Sequence, residues 1–381
     1  MTMMVVPTWE EGQAAIIVAL GVMLLLSTQV KPLWRMLSAV VGRLYLEIII
    51  VARGGSKSEQ EEEMKVAGLF VHPVKSFQPV SVDLAALDER GLVGDRRFML
   101  VVPLALPIYK DAFDPDEATH RFLAQRHCPI LATIKAELVD DKLILTSAQC
   151  PGETVTVHTK ASSTNAQKIL ATIWNDKVTT LDMGDQAAAF CQAIVDQDEQ
   201  LPEEMKGGVR LVMHDPADQR VTDPKYTPAS AHSWWGSRPS ISVTDGYPIL
   251  LVNQASLDEL NSRLRKKEKT PIEMSRFRPN IVVNGAKPFD EDNWKVVSID
   301  GVIFHVVKGC PRCKQTCTDQ RTGKVYEEPL ETLADFRATG PKKEDLYFGQ
   351  NAIHAMGSIG KTIKVGATAK VLERGKPVWE T

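Results

Sequence analysis

Cysteine is scarce: six in 381 residues, with Cys128, Cys150 and Cys191 scattered along the chain. That excludes a disulfide framework and suits a reducing compartment, where clustered thiols serve metals or catalysis. Basic excess is also missing. The formal charge is −3, so the chain lacks the electrostatic footprint of a nucleic-acid binder, and no nucleic-acid partner is expected. No Gly-rich Rossmann fingerprint and no P-loop occurs, which excludes nucleotide binding by those routes. At the N-terminus there is neither the basic leader of a secretory signal nor the Arg-rich, acid-poor pattern of a matrix presequence.

What the N-terminus does have is a run of 19 residues, 12–30, without a charge, preceded by Glu10 and Glu11. As a helix it matches a bilayer core of about 30 Å. Lys31, Arg35, Arg43 and Arg53 follow it, so the positive-inside rule puts the bulk of the chain on the cytosolic side of a single anchor. A second apolar run, 44–52, is too short to span and carries Glu47; it suits the membrane interface or the flank of the first helix. The stretch 53–65 is Gly, Ser and Glu, a solvated linker. Domain limits follow as 1–55 for the anchor and the start of the linker, 56–65 for its acidic part, then 66–200 and 201–381.

Beyond the linker, short alternating runs dominate. "VAGLFVH", "VSVDL", "GDRRFMLVV", "ETVTVHT", "GVRLVMHD", "FRPNIVV" and "GKTIKVGATAKVLE" predict strands. "PILATIKAELVDDKLILTS" predicts a hairpin turning at Asp140 and Asp141, and "KVVSIDGVIFHVVKG" one turning at its Asp-Gly. Helical spacing is read in "TNAQKILATIWN", "DQAAAFCQAIVDQ" and "QASLDELNSRLRKK", the last with Ser256 as cap. The stretch 216–240, rich in Pro, Ser and Asp and holding Trp234 and Trp235, suits either a lid or a plain surface excursion. The fold class is α+β, mainly β, with a closed barrel.

Chemistry concentrates in "GCPRCKQTC", where Cys310, Cys313 and Cys317 fall within eight residues. Structural zinc wants four ligands, and no ribbon spacing supplies the fourth, although His305 or His354 is a candidate. A thioredoxin-type pair should open a helix, whereas "KQTCTDQRTGK" reads as loop or strand. An iron–sulfur cluster wants four thiolates. There remains one thiolate on a metal whose other ligands belong to a cofactor. Such a cofactor's phosphate would need cations and polar donors, for which Lys75, Ser76, Arg96 and Arg278 are candidates. Taken singly, any of these Lys or Arg residues is more often an exposed surface charge.

The blocks "HPVKS", "GDRRFMLV", "LNSRL…FRPNIVV", "CPRCKQTCTDQRTG…EPLETL" and "FGQNAIH" resemble the MOSC domain with its N-terminal β-barrel companion. Together with the anchor they resemble the mitochondrial amidoxime-reducing component family, from about Val66 to Leu372. The resemblance makes 66–200 the companion barrel and 201–381 the MOSC domain, and it implies molybdenum cofactor (Mo-molybdopterin) bound between them. Cys313 would be the metal ligand and catalytic residue. Lys75, Ser76 and Arg96 would hold cofactor from the N-terminal side, and Arg278, Asn280, Pro311, Arg312 and Asn351 from the other. Pro311 replaces a family Ser, Gly246-Tyr247 a Thr-Ser, Asn351 a Tyr and Cys317 a Thr; Cys317 is read as a bystander in a strand. The implied reaction is two-electron reduction of amidoximes, hydroxylamines, hydroxamic acids and N-oxides. Electrons would come from NADH through cytochrome b5 reductase and cytochrome b5, at the mitochondrial outer membrane. Asp319 is a candidate proton donor because acids fill that role. The alternatives are a sulfur-carrying MOSC protein and a cofactor carrier without turnover.

Overall fold

The computed structural model describes residues 63–104, 118–160, 166–201, 206–233, 237–339 and 345–377, with a few helical positions between 37 and 48. The expected span at 12–30, residues 56–62 of the linker and the Trp234–Trp235 pair lie outside the described residues. No helix among the described residues is long and apolar enough to cross a membrane.

Two barrels share one chain. The first is a closed ring of Lys168–Ile173, Asp176–Asp182, Arg210–His214, Phe98–Pro103 and His120–Leu123. The helix Asp185–Val195 packs on it through Ala187, Phe190, Cys191, Ile194 and Val195, joined by the meander Ile134–Val139, Lys142–Ser147, Thr154–His158. The second is an eight-stranded sheet. It runs Ile281–Asn284, Ile249–Asn253, Leu346–His354, Val302–Arg312, Trp294–Ile299, Thr368–Arg374, Met64–Val71, Val80–Val82. Ile281–Asn284 also pairs with Met64–Val71, which closes the ring. Closure removes the exposed strand edges that would invite aggregation. Mainly β architecture with a closed barrel and few helices is what the alternating runs predict, and a companion barrel is what the resemblance implies.

The chain crosses between barrels at both ends of the expected 200/201 division. Met64–Val71 lies before that division yet in the second barrel, and Arg210–His214 follows it yet completes the first. The segment 72–76 therefore runs along the seam. His72 carbonyl accepts from Arg96 N at 2.6 Å and Lys75 N donates to Phe98 O at 2.8 Å.

Three local expectations are corrected. "TNAQKILATIWN" contains a strand, Lys168–Ile173, in which Ile169, Ala171 and Ile173 are buried at a period of two; barrel closure overrides the helical reading. The cap of the helix Gln254–Lys266 is Asn253, whose side chain accepts from Ala255 N at 3.1 Å. Ser256 is instead buried and donates to Glu291. Cys317 ends a one-turn 3₁₀ helix, Lys314–Cys317, rather than lying in a strand.

In the stretch 216–240, Arg220 is the structural pin. It is buried, and its Nε donates to Asp176 at 2.7 Å while Nη1 donates to Ser242 O at 2.7 Å and Thr244 O at 2.5 Å. One guanidinium thus ties the first barrel to the segment leading into Asp245. Arg220→Ala is expected to destabilise the protein by about 2 kcal/mol, because it leaves two buried carbonyls without their donor, while half-exposed Asp176 can turn to water. Chemical denaturation would show this as a lower midpoint; an unchanged midpoint would refute the pin.

Candidate functional site

The nine residues that the resemblance assigns to the cofactor reach the same place. Lys75, Ser76, Arg96, Arg278, Asn280, Pro311, Arg312, Cys313 and Asn351 line one cavity of about 470 Å³ at the junction of the barrels. Gly246, Tyr247 and Cys310 line it too.

Backbone geometry explains how distant segments converge. Ser76, Arg96 and Arg278 all sit at positive φ, 71°, 48° and 56°. Non-glycine residues rarely adopt this conformation, and clusters of them mark sites where the surroundings hold the chain. Arg278 precedes Pro279, which disfavours the right-handed helical region and helps end the turn Met274–Phe277 there. On the opposite wall, Val302–Arg312 ends and Cys313 stays extended. Thr316 then clamps the Cys313 carbonyl with its N–H at 3.0 Å and its hydroxyl at 2.9 Å. The Cys313 side chain is left exposed at the cavity.

The lining carries six cations, Lys75, Arg96, Arg126, Arg278, Lys308 and Arg312, against the carboxylates Asp245 and Asp345. Arg278 is buried; its Nη1 donates to Phe77 O at 2.6 Å and Gln320 Oε1 at 2.8 Å, while its Nη2 has no partner. Burial and then the neighbouring Arg96 disfavour its charge, yet a guanidinium keeps its proton. Arg96 is steadied by Asp95, by Asn280 Oδ1 at 3.1 Å and by Arg278 O at 3.1 Å. Arg312 donates to Cys310 Sγ and Phe277 O, each at 2.8 Å, and its Nε has no partner. His72, beneath them, is held neutral by burial and then by Arg96 and Arg278; its Nε2 donates to Pro279 O at 3.1 Å. Buried donors without acceptors cost stability unless an anion completes them. The residues present therefore fit a phosphate-bearing cofactor, with one exposed thiol positioned for a soft metal.

Lys75 adds pH dependence. Burial pulls its ammonium down to about 8, against Asp245, which raises it through a 2.5 Å ion pair. Against desolvation, Lys75 and the Trp174 indole hold the Asp245 carboxyl well below the usual carboxylate range. A bound phosphate would favour the charged ammonium and raise its pKa above the free value. Cofactor retention is therefore expected to be strongest below pH 8 and to fall by up to about tenfold per pH unit above it. Equilibrium dialysis between about pH 7 and 9.5 would show the slope, and Lys75→Met should flatten it. In cofactor-free protein the sign is opposite for folding. The unfolded lysine, near 10.4, binds more protons than the folded one, so stability should rise from pH 8 toward that value.

The cysteines separate in role. Cys317 is buried and its thiol donates to Glu327 O at 3.3 Å, away from the cavity lining. Cys310 shares the cavity, its thiol pushed up by burial against the pull of Arg312. Among the described residues no group of three or more His, Cys, Asp or Glu side chains is arranged to hold a metal. The zinc clamp, with His305 or His354 as fourth ligand, thus has no geometric support. Asp319 is also misplaced as a proton donor for this cavity. It lines a separate recess with Arg276 and accepts from Arg321 N, Thr322 N and Thr322 Oγ1. Asp345, which lines the cavity and bonds the Tyr347 phenol, is better placed.

Sequence reasoning missed Arg126, Trp174, Asp245, Lys308 and Asp345. No sequence signal singles out Trp174: its φ of 54° in the two-residue turn before Asp176, costly for a bulky aromatic, is visible only in the structure.

Comparison with known proteins adds the following. Residues 63–198 match the MOSC N-terminal beta barrel domain family and residues 238–376 the MOSC domain family. The chain is 30% identical over 302 residues to rat mitochondrial amidoxime reducing component 2, covering 78% of this chain and 79% of the rat protein. The bovine protein of that name is 29% identical over 322 residues, with 83% and 85% covered. Rice molybdenum cofactor sulfurase is 26% identical over 311 residues, 77% of this chain but 33% of the sulfurase.

Proposed function

The chain belongs to the mitochondrial amidoxime-reducing component family of MOSC proteins, and from that premise we propose that it is a molybdenum-cofactor-dependent reductase of N-hydroxylated compounds. A molybdenum-cofactor-related function is common ground for its relatives. The finer reading takes in amidoximes, hydroxylamines, hydroxamic acids and N-oxides as substrates and NADH, cytochrome b5 reductase and cytochrome b5 as the electron source. It also takes in a membrane anchor at the mitochondrial outer membrane. The observation that carries it is the pairing of one exposed thiol, Cys313, with the unpartnered Nη2 of the buried Arg278 guanidinium in a single cavity.

When bound, molybdenum cofactor supplies two-electron reduction at an N–O bond. The chain's own residues do the rest. Arg278, Arg96 and Lys75 hold the phosphate end as fixed cations. Cys313 Sγ offers the thiolate. Asn280 couples the two sides, accepting from Arg96 and from Leu250 N at 3.1 Å. Tyr247, Lys308 and Asp345 also line the cavity and would be available to a small substrate. We assign proton delivery to Asp345, on the ground that it is a carboxyl in the cavity lining.

The test is NADH oxidation by the full chain, produced in a molybdopterin-making host, with cytochrome b5, its reductase and benzamidoxime. Turnover that depends on all three supports the reading. Molybdenum-loaded protein without turnover, or cyanide-labile sulfur on the protein, would replace it by a carrier or a sulfur-handling role.

A further inference from the structure

We propose that Arg126 is a positioning residue for Cys313: the first barrel reaches across the seam through Trp174 and sets a guanidinium against the sulfur that would bind the metal, raising the reduction potential of the loaded site. The inference rests on the molybdenum reading above and assigns a task to a residue outside the cofactor-holding set.

The geometry is a chain of four contacts. Trp174 occupies the turn between two strands of the first barrel at φ 54°. Such a conformation is costly for a bulky residue and persists only where neighbours hold it. Two neighbours do. The indole Nε1 donates to Asp245 Oδ1 at 3.0 Å, and Phe122 meets the ring edge-on at 5.3 Å between centroids. The indole is thereby fixed across the seam. The Arg126 guanidinium then lies over its ring, 4.2 Å from the centroid. From there Nη2 points to Cys313 Sγ at 3.7 Å. Arg126 Nε has no partner, and among the described residues no carboxylate forms an ion pair with Arg126. Its charge is shared among the indole it stacks on, nearby Asp245 and the thiol, and of these the thiol is its hydrogen-bond acceptor.

A planar guanidinium suits this task better than an ammonium, because it can stack on the indole and donate in its own plane. Reduction of a metal–thiolate centre adds negative charge. A hydrogen bond and a positive charge at the sulfur stabilise the reduced form more than the oxidised one. Removing them must lower the potential. The mouth of the cavity is open to water, so screening limits the effect.

The test is an EPR-monitored redox titration of molybdenum in the loaded full chain. Arg126→Gln is expected to keep its molybdenum and to shift the midpoint downward, changing the oxidised-to-reduced ratio about tenfold at fixed potential, about 59 mV for a one-electron couple. Arg126→Lys should fall between parent and Gln. Trp174→Leu should move the midpoint the same way by releasing Arg126, and the double variant should move no further than Arg126→Gln alone, since both act through one contact. A loaded Arg126→Gln protein with the parent's midpoint overturns the inference and leaves the functional reading standing. Failure of Arg126→Gln to load also overturns it, by making Arg126 a holding residue. A parent without molybdenum removes the functional reading and the inference with it.

Discussion

Cys313→Ser is expected to lower turnover by more than about 100-fold while the fold survives, since even the loss of partners that merely orient a metal ligand costs 10–100-fold. The reason for such a large and clean effect lies in exposure. The thiol packs against no core; its named contact is Arg126 at 3.7 Å, and the backbone of Cys313 is held by Thr316 rather than by the side chain. Exchanging sulfur for oxygen at an exposed position should change stability by no more than about 0.5 kcal/mol. Serine is nearly isosteric, but its hydroxyl is a hard, weakly acidic ligand where a soft thiolate is wanted. The measurement is turnover beside molybdenum content and the thermal midpoint. Cys317→Ala is the control, because that thiol is buried and spends its hydrogen on Glu327 O. Full activity of Cys313→Ser would refute the ligand assignment. Equal losses in both variants would mean that folding, not ligation, had been tested.

The sequence showed the parts of the site more readily than their arrangement. "HPVKS", "GDRRF", "FRPN" and "CPRC" carry residues whose chemistry is written in their type: cations for a phosphate, a thiol for a soft metal. Local turn chemistry was equally open. Asp300 and Gly301 both take positive φ in the hairpin that their dipeptide predicts, and Asp140 does so in the other. Closure of the barrels was less accessible. Nothing local says that Met64–Val71 pairs with Ile281–Asn284 across more than two hundred residues, or that Arg210–His214 belongs with Phe98–Pro103. For the same reason Lys168–Ile173 was misread, because its alternation is short and its partners are remote. Arg126 and Trp174 were invisible as site residues. Each is ordinary in its own neighbourhood and acquires meaning only from the seam between barrels. Asp319 illustrates the converse: two residues past Cys317, it still faces away, because the turn at 319–323 folds onto its own carboxylate.

Arg278→Ala is expected to reduce cofactor retention about 100-fold, corresponding to roughly 3 kcal/mol. Its guanidinium is the buried cation with the clearest deficit: two donations to protein, one nitrogen without an acceptor, and Arg96 close enough to disfavour it. In cofactor-free protein the same group is a burden, a buried charge beside like charge. Its loss should therefore alter the cofactor-free fold less than it alters binding. Removal frees Phe77 O and Gln320 Oε1 from their donor, but it also relieves Arg96. Gln320 keeps its paired amide contacts to Gln125 at 3.0 and 3.1 Å. Loading should raise the thermal midpoint of the parent, as any ligand selective for the folded state must, and that rise should vanish in Arg278→Ala. Arg278→Lys keeps charge but cannot span both acceptors and the anion, so it should retain cofactor to an intermediate degree. The decisive quantity is the molybdenum-to-protein ratio after extended dialysis. If Arg278→Ala holds as much as the parent, the phosphate lies elsewhere along the seam, and the strained φ of 56° at residue 278 serves the turn before Pro279 rather than the cofactor.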